Sequence, residues 1–401
     1  MRGRTLRLSF AVLEAALAAA LAVTLGGCAS QTGGGSSNSA DAEKAPIKIG
    51  AVVSLTGTYA GLGEPEKNTI EMEVARINEA GGINGRSIEV IFEDDATDDA
   101  KANAAASKLV EQDGVVALLG ATGTGGTMAM RDVVKRSGVP QVSMAGGTVI
   151  TNPTDPLVFA TPWSNTIVAP FTIAALQKDG INKVGLISDS GGFGKDGQAV
   201  FSAEAEKAGL EIVSDQTFNP GDADMSAQLT KIKGSDAEAV VIWTAGKEAA
   251  TIVKNANDLG IDLPMYGSHG NARLEFVEGA GAAADGFKFA AGKILVPEAY
   301  GTDTEAYEVA TGFVDRYQQE FGQPPSTFAG HAYDALYIVV EAAKRVDGEI
   351  TAEALLAEIE KTSGLVGIGG TFSFSAADHN GLTASDLTMY EVKDGAWTIV
   401  E

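Results

Sequence analysis

Short apolar runs alternate with amphipathic segments along almost the whole chain. Residues 47–55 read as a strand, and 64–78 as a helix that turns Ile70, Val74 and Ile77 to one face. Pro65 suits the first turn of that helix, and Gly81-Gly82 its exit. Strand 87–93, helix 100–112, strand 115–120, helix 127–137 and strand 140–144 follow. After a loop rich in Pro, Thr, Trp and Asn near 161–166 the pattern restarts. Helix 167–178, strand 183–188, helix 197–208, strand 210–217, helix 225–233, strand 239–243, helix 247–259 and strand 264–267 make the second set. A strand at 286–291 and helices near 304–321, 327–345 and 351–362 close the series. Such βαβα alternation argues for parallel, doubly wound sheets covered on both faces. Two similar sets imply two α/β lobes, and 401 residues exceed one comfortable core.

The first 28 residues do not fit that pattern. Arg2, Arg4 and Arg7 precede an apolar stretch over 8–25, which ends in Leu25-Gly26-Gly27-Cys28. The basic start, short apolar core and small residues predict a signal peptide over 1–27, removed on export. Cys28 is the sole cysteine, so disulfides within the exported body are excluded. Residues 31–44, mostly Gly, Ser, Asn, Ala and Asp, read as a flexible leash; the anchor and linker together span 28–45. No later segment approaches a transmembrane helix in length and apolarity. The net charge of −24 excludes nucleic acid as an expected partner, because phosphate binding needs a basic face.

Several segments carry candidate chemistry. Gly120 to Thr127 (Gly-Ala-Thr-Gly-Thr-Gly-Gly-Thr) lies between a strand and a helix, where glycines, hydroxyls and a helix N-terminus favour an anion. A carboxylate cradle and a ligand-free glycine turn both remain open there. A dinucleotide loop fails, because the segment follows the third strand rather than the first. Ser190 to Asp196 lacks the glycine spacing of a phosphate loop, but it puts Phe193 at a strand's carboxyl end, where open α/β sheets bind ligands. Glu93, Asp94, Asp95, Asp98 and Asp99 lack the spacing of a calcium loop and read as a solvated helix start. The three histidines, His269, His331 and His379, make no metal array, and no nucleophile elbow accompanies them. No metal, no cofactor and no catalytic residue is therefore expected. His269 stands apart: Gly267-Ser-His-Gly270 follows a strand, so its ring emerges at the carboxyl edge.

These landmarks resemble the type I periplasmic binding proteins of the branched-chain amino-acid class, which serve ABC importers. The resemblance rests on Ile47 to Gly57, Ile77 to Arg86, Asp222 to Lys233 and Pro324 to Ala335, and covers essentially all of 47–401. Leu25 to Cys28 likewise resembles the lipobox of bacterial lipoproteins, which implies lipid on Cys28 and an extracytoplasmic, membrane-anchored place. The family fold implies two lobes joined by a three-strand hinge: 46–163 with 292–369, and 164–291 with 370–401. It implies a ligand carboxylate held at Thr124 and Gly125 and at Ala145, Gly146 and Thr148. Phe193 takes a position usually tyrosine, Leu62 one often aromatic, and Trp243 joins Phe193 as an apolar wall. Thr97 and Gly123 stand at sites where many relatives carry a cysteine pair.

The departure that matters is His269, where amino-acid binders of this class commonly place a carboxylate for the ligand ammonium. The expectation is thus a small carboxylate, an aromatic or 2-oxo acid, captured by a monomeric clamp for a membrane permease. A branched-chain amino acid is the alternative. An exported enzyme would need a base or nucleophile pair that the loops do not offer. A sensory ectodomain would continue into a membrane helix and a signalling domain, whereas this chain stops at Glu401.

Overall fold

The computed structural model describes residues 45–400. The expected signal peptide, the lipid site at Cys28 and all but the last residue of the linker lie outside the described residues.

Five parallel strands form the first sheet: β1 (Ile47–Val53), β2 (Ile88–Asp94), β3 (Ala117–Gly120), β4 (Gln141–Ser143) and β5 (Val158–Ala160). They lie in the order β2-β1-β3-β4-β5, with Ile47 opposite Ile88 and Ile49 opposite Ala117. Six of the seven β1 residues are buried, as a parallel strand covered on both faces requires. Helices α1 (Ala60–Glu79), α2 (Asp99–Lys108) and α3 (Thr124–Ser137) connect these strands. β5 is short and follows a stretch broken by Pro153 and Pro156, and the apolar pattern does not reveal it.

The second sheet begins with β6 (Lys183–Asp189), β7 (Glu211–Phe218), β8 (Ala239–Trp243), β9 (Met265–Gly267) and β10 (Lys288–Gly292). Its helices are α4 (Asn165–Lys178), α5 (Gly192–Ala208), α6 (Ser226–Lys233), α7 (Glu248–Asp258) and α8 (Leu274–Ala280). The chain then forms α9 (Glu305–Phe321), α10 (Thr327–Arg345) and α11 (Ala352–Ile359), of which α10 packs along α1. A small hairpin of β11 (Leu365–Val366) and β12 (Thr371–Phe372) follows. Finally β13 (Leu387–Lys393) and β14 (Ala396–Ile399) join the second sheet, giving the order β14-β13-β10-β9-β8-β6-β7.

β13 and β14 run antiparallel, a departure from the all-parallel expectation. The two-residue link Asp394-Gly395 allows only a hairpin between them, since a parallel pair needs a long crossover. The chain therefore passes between the sheets three times, near 161–164, 293–304 and 373–386.

Each sheet reverses its strand order once. In the first, β1 lies between β2 and β3; in the second, β6 lies between β7 and β8. Open α/β sheets bind ligands in the crevice beyond the carboxyl ends of the strands at such points.

Candidate functional site

The loops at the two reversal points face one another across a narrow cavity of about 340 Å³, mouth included. Tyr59 just before α1 and Leu62 in its first turn come from one side, with Thr122 and Gly123 before α3, Thr124 at its start, and Met144 to Gly146 after β4. From the second sheet come Phe193 at the start of α5, Ala245 after β8, and His269 and Gly270 after β9. Pro162 in a connecting passage, with Phe328 and His331 on α10, completes the wall. None of these fifteen residues is acidic. A larger groove beside Glu64, Arg273, Tyr317 and Trp397 mixes charges of both signs.

Thr124 is the first residue of α3, and Gly123 precedes it in extended conformation. Its side chain is 2 % exposed, and its hydroxyl has no protein partner. A free hydroxyl at a helix N-terminus, beside backbone N–H groups and the positive end of the helix dipole, suits a carboxylate. The sequence reading started α3 at 127; the structure starts it three residues earlier, and that makes Thr124 part of the helix mouth.

His269 reaches the cavity from the opposite side. A Cβ added to Gly146 would lie 2.4 Å from the His269 Nε2, so only glycine allows this approach. Phe193 meets the imidazole edge-on, with 5.2 Å between ring centroids. Neither ring nitrogen has a hydrogen-bond partner, and burial pushes the pKa down to about 3, so the imidazole is neutral. His331 is similar. Trp163 and Phe328 meet it edge-on, its Nδ1 is unpartnered, and burial, then the nearby His269, pushes it down to about 3. The cavity thus offers polar atoms from two neutral imidazoles within an aromatic frame.

Leu62, Thr124, Ala145, Gly146, Phe193 and His269 line this one cavity. Gly125, Thr148 and Trp243 do not. Gly125 lies on the outer side of the α3 mouth, where Gly192 packs against its backbone. Thr148 gives its backbone N–H to Asp196 at 2.7 Å, and its hydroxyl accepts from the N–H of Thr166 at 3.2 Å. Trp243 is wholly buried, packs on Phe201, and donates its indole N–H to Asn165 at 3.1 Å. These three residues pack or join neighbouring loops beside the cavity instead of lining it. The acidic cluster also has local duties: Asp98 caps α2, Asp94 holds the turn after β1, and Asp95 accepts from Ser54 and Thr97.

Thr122 belongs to the hydroxyl-bearing glycine segment expected to cradle an anion, whereas nothing in the sequence pattern singles out Tyr59, Met144, Pro162, Phe328 or His331 as cavity residues. For Ala245 the clue was available, because it follows β8 at the edge that presents Phe193 and His269. For Phe328 and His331 there was none, since α10 is buried almost all round and shows no separate ligand face.

Two doubly wound α/β lobes meeting over one small, mainly apolar cavity define a solute-binding clamp. The chain belongs to the periplasmic binding protein family, whose profile matches residues 46–396. It is 27% identical over 361 residues to the Leu/Ile/Val-binding protein homolog 3 of Brucella melitensis, covering 89% of this chain and 94% of that one. It is also 27% identical to the leucine-, isoleucine-, valine-, threonine- and alanine-binding protein of Pseudomonas aeruginosa, over 86% of this chain and 89% of that one. Among solved structures it is similar to the isoleucine-bound branched-chain amino acid transporter substrate binding protein LivJ of Streptococcus pneumoniae. That match has 31% identity and a TM-score of 0.78, over 88% of this chain and 99% of that one. An extracellular ligand-binding receptor from Rhodopseudomonas palustris HaA2 matches with 28% identity and a TM-score of 0.83, over the same shares. The protein is thus an extracytoplasmic solute-binding protein of the Leu/Ile/Val-binding type.

Proposed function

We propose that the protein captures a small carboxylate without an essential ammonium group, an aromatic or 2-oxo acid, and delivers it to an ABC importer. One observation carries this reading: the unpartnered Thr124 hydroxyl faces the unpartnered, neutral His269 across a cavity with no acidic lining residue. The carboxylate sits at the mouth of α3. A carbonyl or hydroxyl oxygen at the other end accepts from an imidazole N–H. A buried ammonium would lack a counter-ion there, and an unpaired buried charge costs about 3–5 kcal/mol.

The lobes are taken as 46–163 with 292–369 and 164–291 with 370–401, closing as a clamp in the manner of such proteins. Lipid on Cys28 holds a monomeric clamp near its permease. The unchanged ligand is what the permease receives, so no chemistry is assigned to the cavity.

A branched-chain amino acid is the second reading. Leu62, Met144, Ala245 and Phe328 offer an aliphatic side chain an apolar wall. A neutral imidazole nitrogen also accepts an N–H from an ammonium group. Isothermal titration of the purified protein with leucine and with 4-methyl-2-oxopentanoate separates the two, because these ligands differ only at the α-substituent. Tight binding of leucine with no response to the oxo acid would sink the first reading.

A further inference from the structure

Beneath the cavity floor lies a buried acid that neither reading uses. Glu66, on the second turn of α1, has no solvent exposure. One carboxyl oxygen, Oε2, lies 2.5 Å from the hydroxyl of Thr122, and the other, Oε1, has no partner. The charged group facing Glu66 is Asp95, from the β2–α2 loop, and its sign is the same. Asp95 takes the hydroxyl of Ser54 at 2.5 Å and the N–H of Thr97 at 2.8 Å, so it supplies no proton to Glu66. Among the described residues no cation acts on Glu66, and an isolated buried carboxylate is far costlier than the neutral acid.

Thr122 links this acid to the ligand. Its hydroxyl oxygen already accepts the backbone N–H of Ser54 at 3.0 Å, and its side chain lines the cavity. With Glu66 ionised, the Thr122 hydrogen must point down to the carboxylate, and the cavity meets an oxygen lone pair. With Glu66 neutral and donating, the Thr122 oxygen accepts twice, and its hydrogen is free for the cavity.

We infer that Glu66 holds a proton and, through Thr122, sets the polarity of the cavity floor as a hydrogen-bond donor matched to a carboxylate. Glu66 is a positioning residue and touches no ligand. Burial, which raises its pKa well above the ordinary range, agrees with this geometry. Its effect on binding rests on the carboxylate reading; its protonation does not. Deprotonation at alkaline pH turns the floor into an acceptor and adds a negative charge behind it. Affinity for a carboxylate then falls by up to about tenfold per pH unit above the Glu66 pKa.

The experiment has two arms. The first compares infrared spectra of ligand-free wild type and Glu66→Gln at neutral pH, with glutamate side chains isotope-labelled at the carboxyl carbon. A protonated-acid carbonyl band present in wild type and lost in the variant is expected. Loss of an ionised-carboxylate band instead overturns the inference, whatever the protein binds. The second arm titrates 4-methyl-2-oxopentanoate and isoleucine from neutral to alkaline pH; either serves, since both carry a carboxylate. Wild type loses affinity at the alkaline end, while Glu66→Gln, whose amide donates to Thr122 at every pH, retains it. An equal alkaline loss in both proteins overturns the proton's role in binding. If neither acid binds, the carboxylate reading fails, and the infrared arm alone decides the protonation.

Discussion

The carboxylate of Asp196 accepts the backbone N–H of Thr148 at 2.7 Å and lies 3.3 Å from that of Val149. The same carboxylate accepts the side-chain amide of Asn165 at 2.7 Å. Asp196 sits in α5, beside the second sheet, whereas Thr148 begins a 3-10 turn after β4 of the first sheet. The pair therefore ties together the two sides of the cavity without touching its contents. Asp196→Ala is expected to weaken ligand binding by about 1.5–3 kcal/mol, the range for hydrogen bonds to a charged group, mainly through faster release. Stopped-flow dissociation with an unchanged association rate checks this; an unaltered release rate removes Asp196 from closure.

Thr124→Ala should cost about 1–3 kcal/mol of affinity for a carboxylate ligand. Stability should stay nearly constant, because the hydroxyl makes no bond within the protein. Thr124→Ser should restore most of the binding. Calorimetry and thermal denaturation of the two variants separate a ligand contact from a packing role.

The two cavity histidines give stability a definite slope in acid. Their folded pKa of about 3 lies below the ordinary 6.5, so the unfolded chain takes up protons first as pH falls. Stability from these groups is complete above about pH 6.5 and is lost progressively toward about pH 3. Asp334 works the other way. Burial raises its pKa to about 8, even though it accepts the N–H groups of Ile368 and Gly369. Above about pH 4 the unfolded chain releases this proton before the folded one does, so stability declines as pH rises toward 8. His269→Gln should flatten the acid limb of a melting-temperature profile, and Asp334→Asn the decline between about pH 4 and 8. Ligand affinity should show no histidine midpoint near pH 6.5.

Glu73 lies wholly buried on α1 and receives Arg316 at 2.9 Å from α9, Arg76 at 2.8 Å, and the hydroxyl of Tyr337 at 2.7 Å from α10. Removing the acid strands two guanidinium groups beside the α1–α10 packing. Glu73→Ala is expected to lower stability by only about 1–3 kcal/mol, because the half-exposed Arg76 and Arg316 can be solvated once the acid is gone; urea denaturation reads the loss, with the remaining folded protein binding as before. A loss below about 1 kcal/mol would assign the cluster to the surface class of ion pairs.

The alternation of apolar runs made the two sheets legible, because parallel strands buried on both faces cannot hide in a polar background. β5 follows a stretch broken by Pro153 and Pro156, and β11 is only two residues long, so neither stands out in the pattern. β13 does alternate, but without a helix beside it the signal for its sheet was missing. The site was legible wherever a residue follows a strand at the carboxyl edge, as His269 and Phe193 do. Chain position does not give a side chain's direction. Trp243 ends β8 yet turns its ring toward Asn165 and Phe201, and Thr148 spends its N–H on Asp196. Glu66 escaped notice because a single acid in an amphipathic helix reads as solvated; only Thr122, distant in sequence, reveals its place.

The central claim is that the cavity holds a carboxylate and has no place that demands an ammonium group. Calorimetric titration of the purified protein with leucine and 4-methyl-2-oxopentanoate, side by side at neutral pH, tests it most directly. The oxo acid is expected to bind at least about tenfold more tightly, a difference of about 1.4 kcal/mol. In His269→Glu the preference should reverse toward leucine. Tighter binding of leucine by the wild-type protein would contradict the account and establish an amino-acid site in which His269 serves as the ammonium's acceptor.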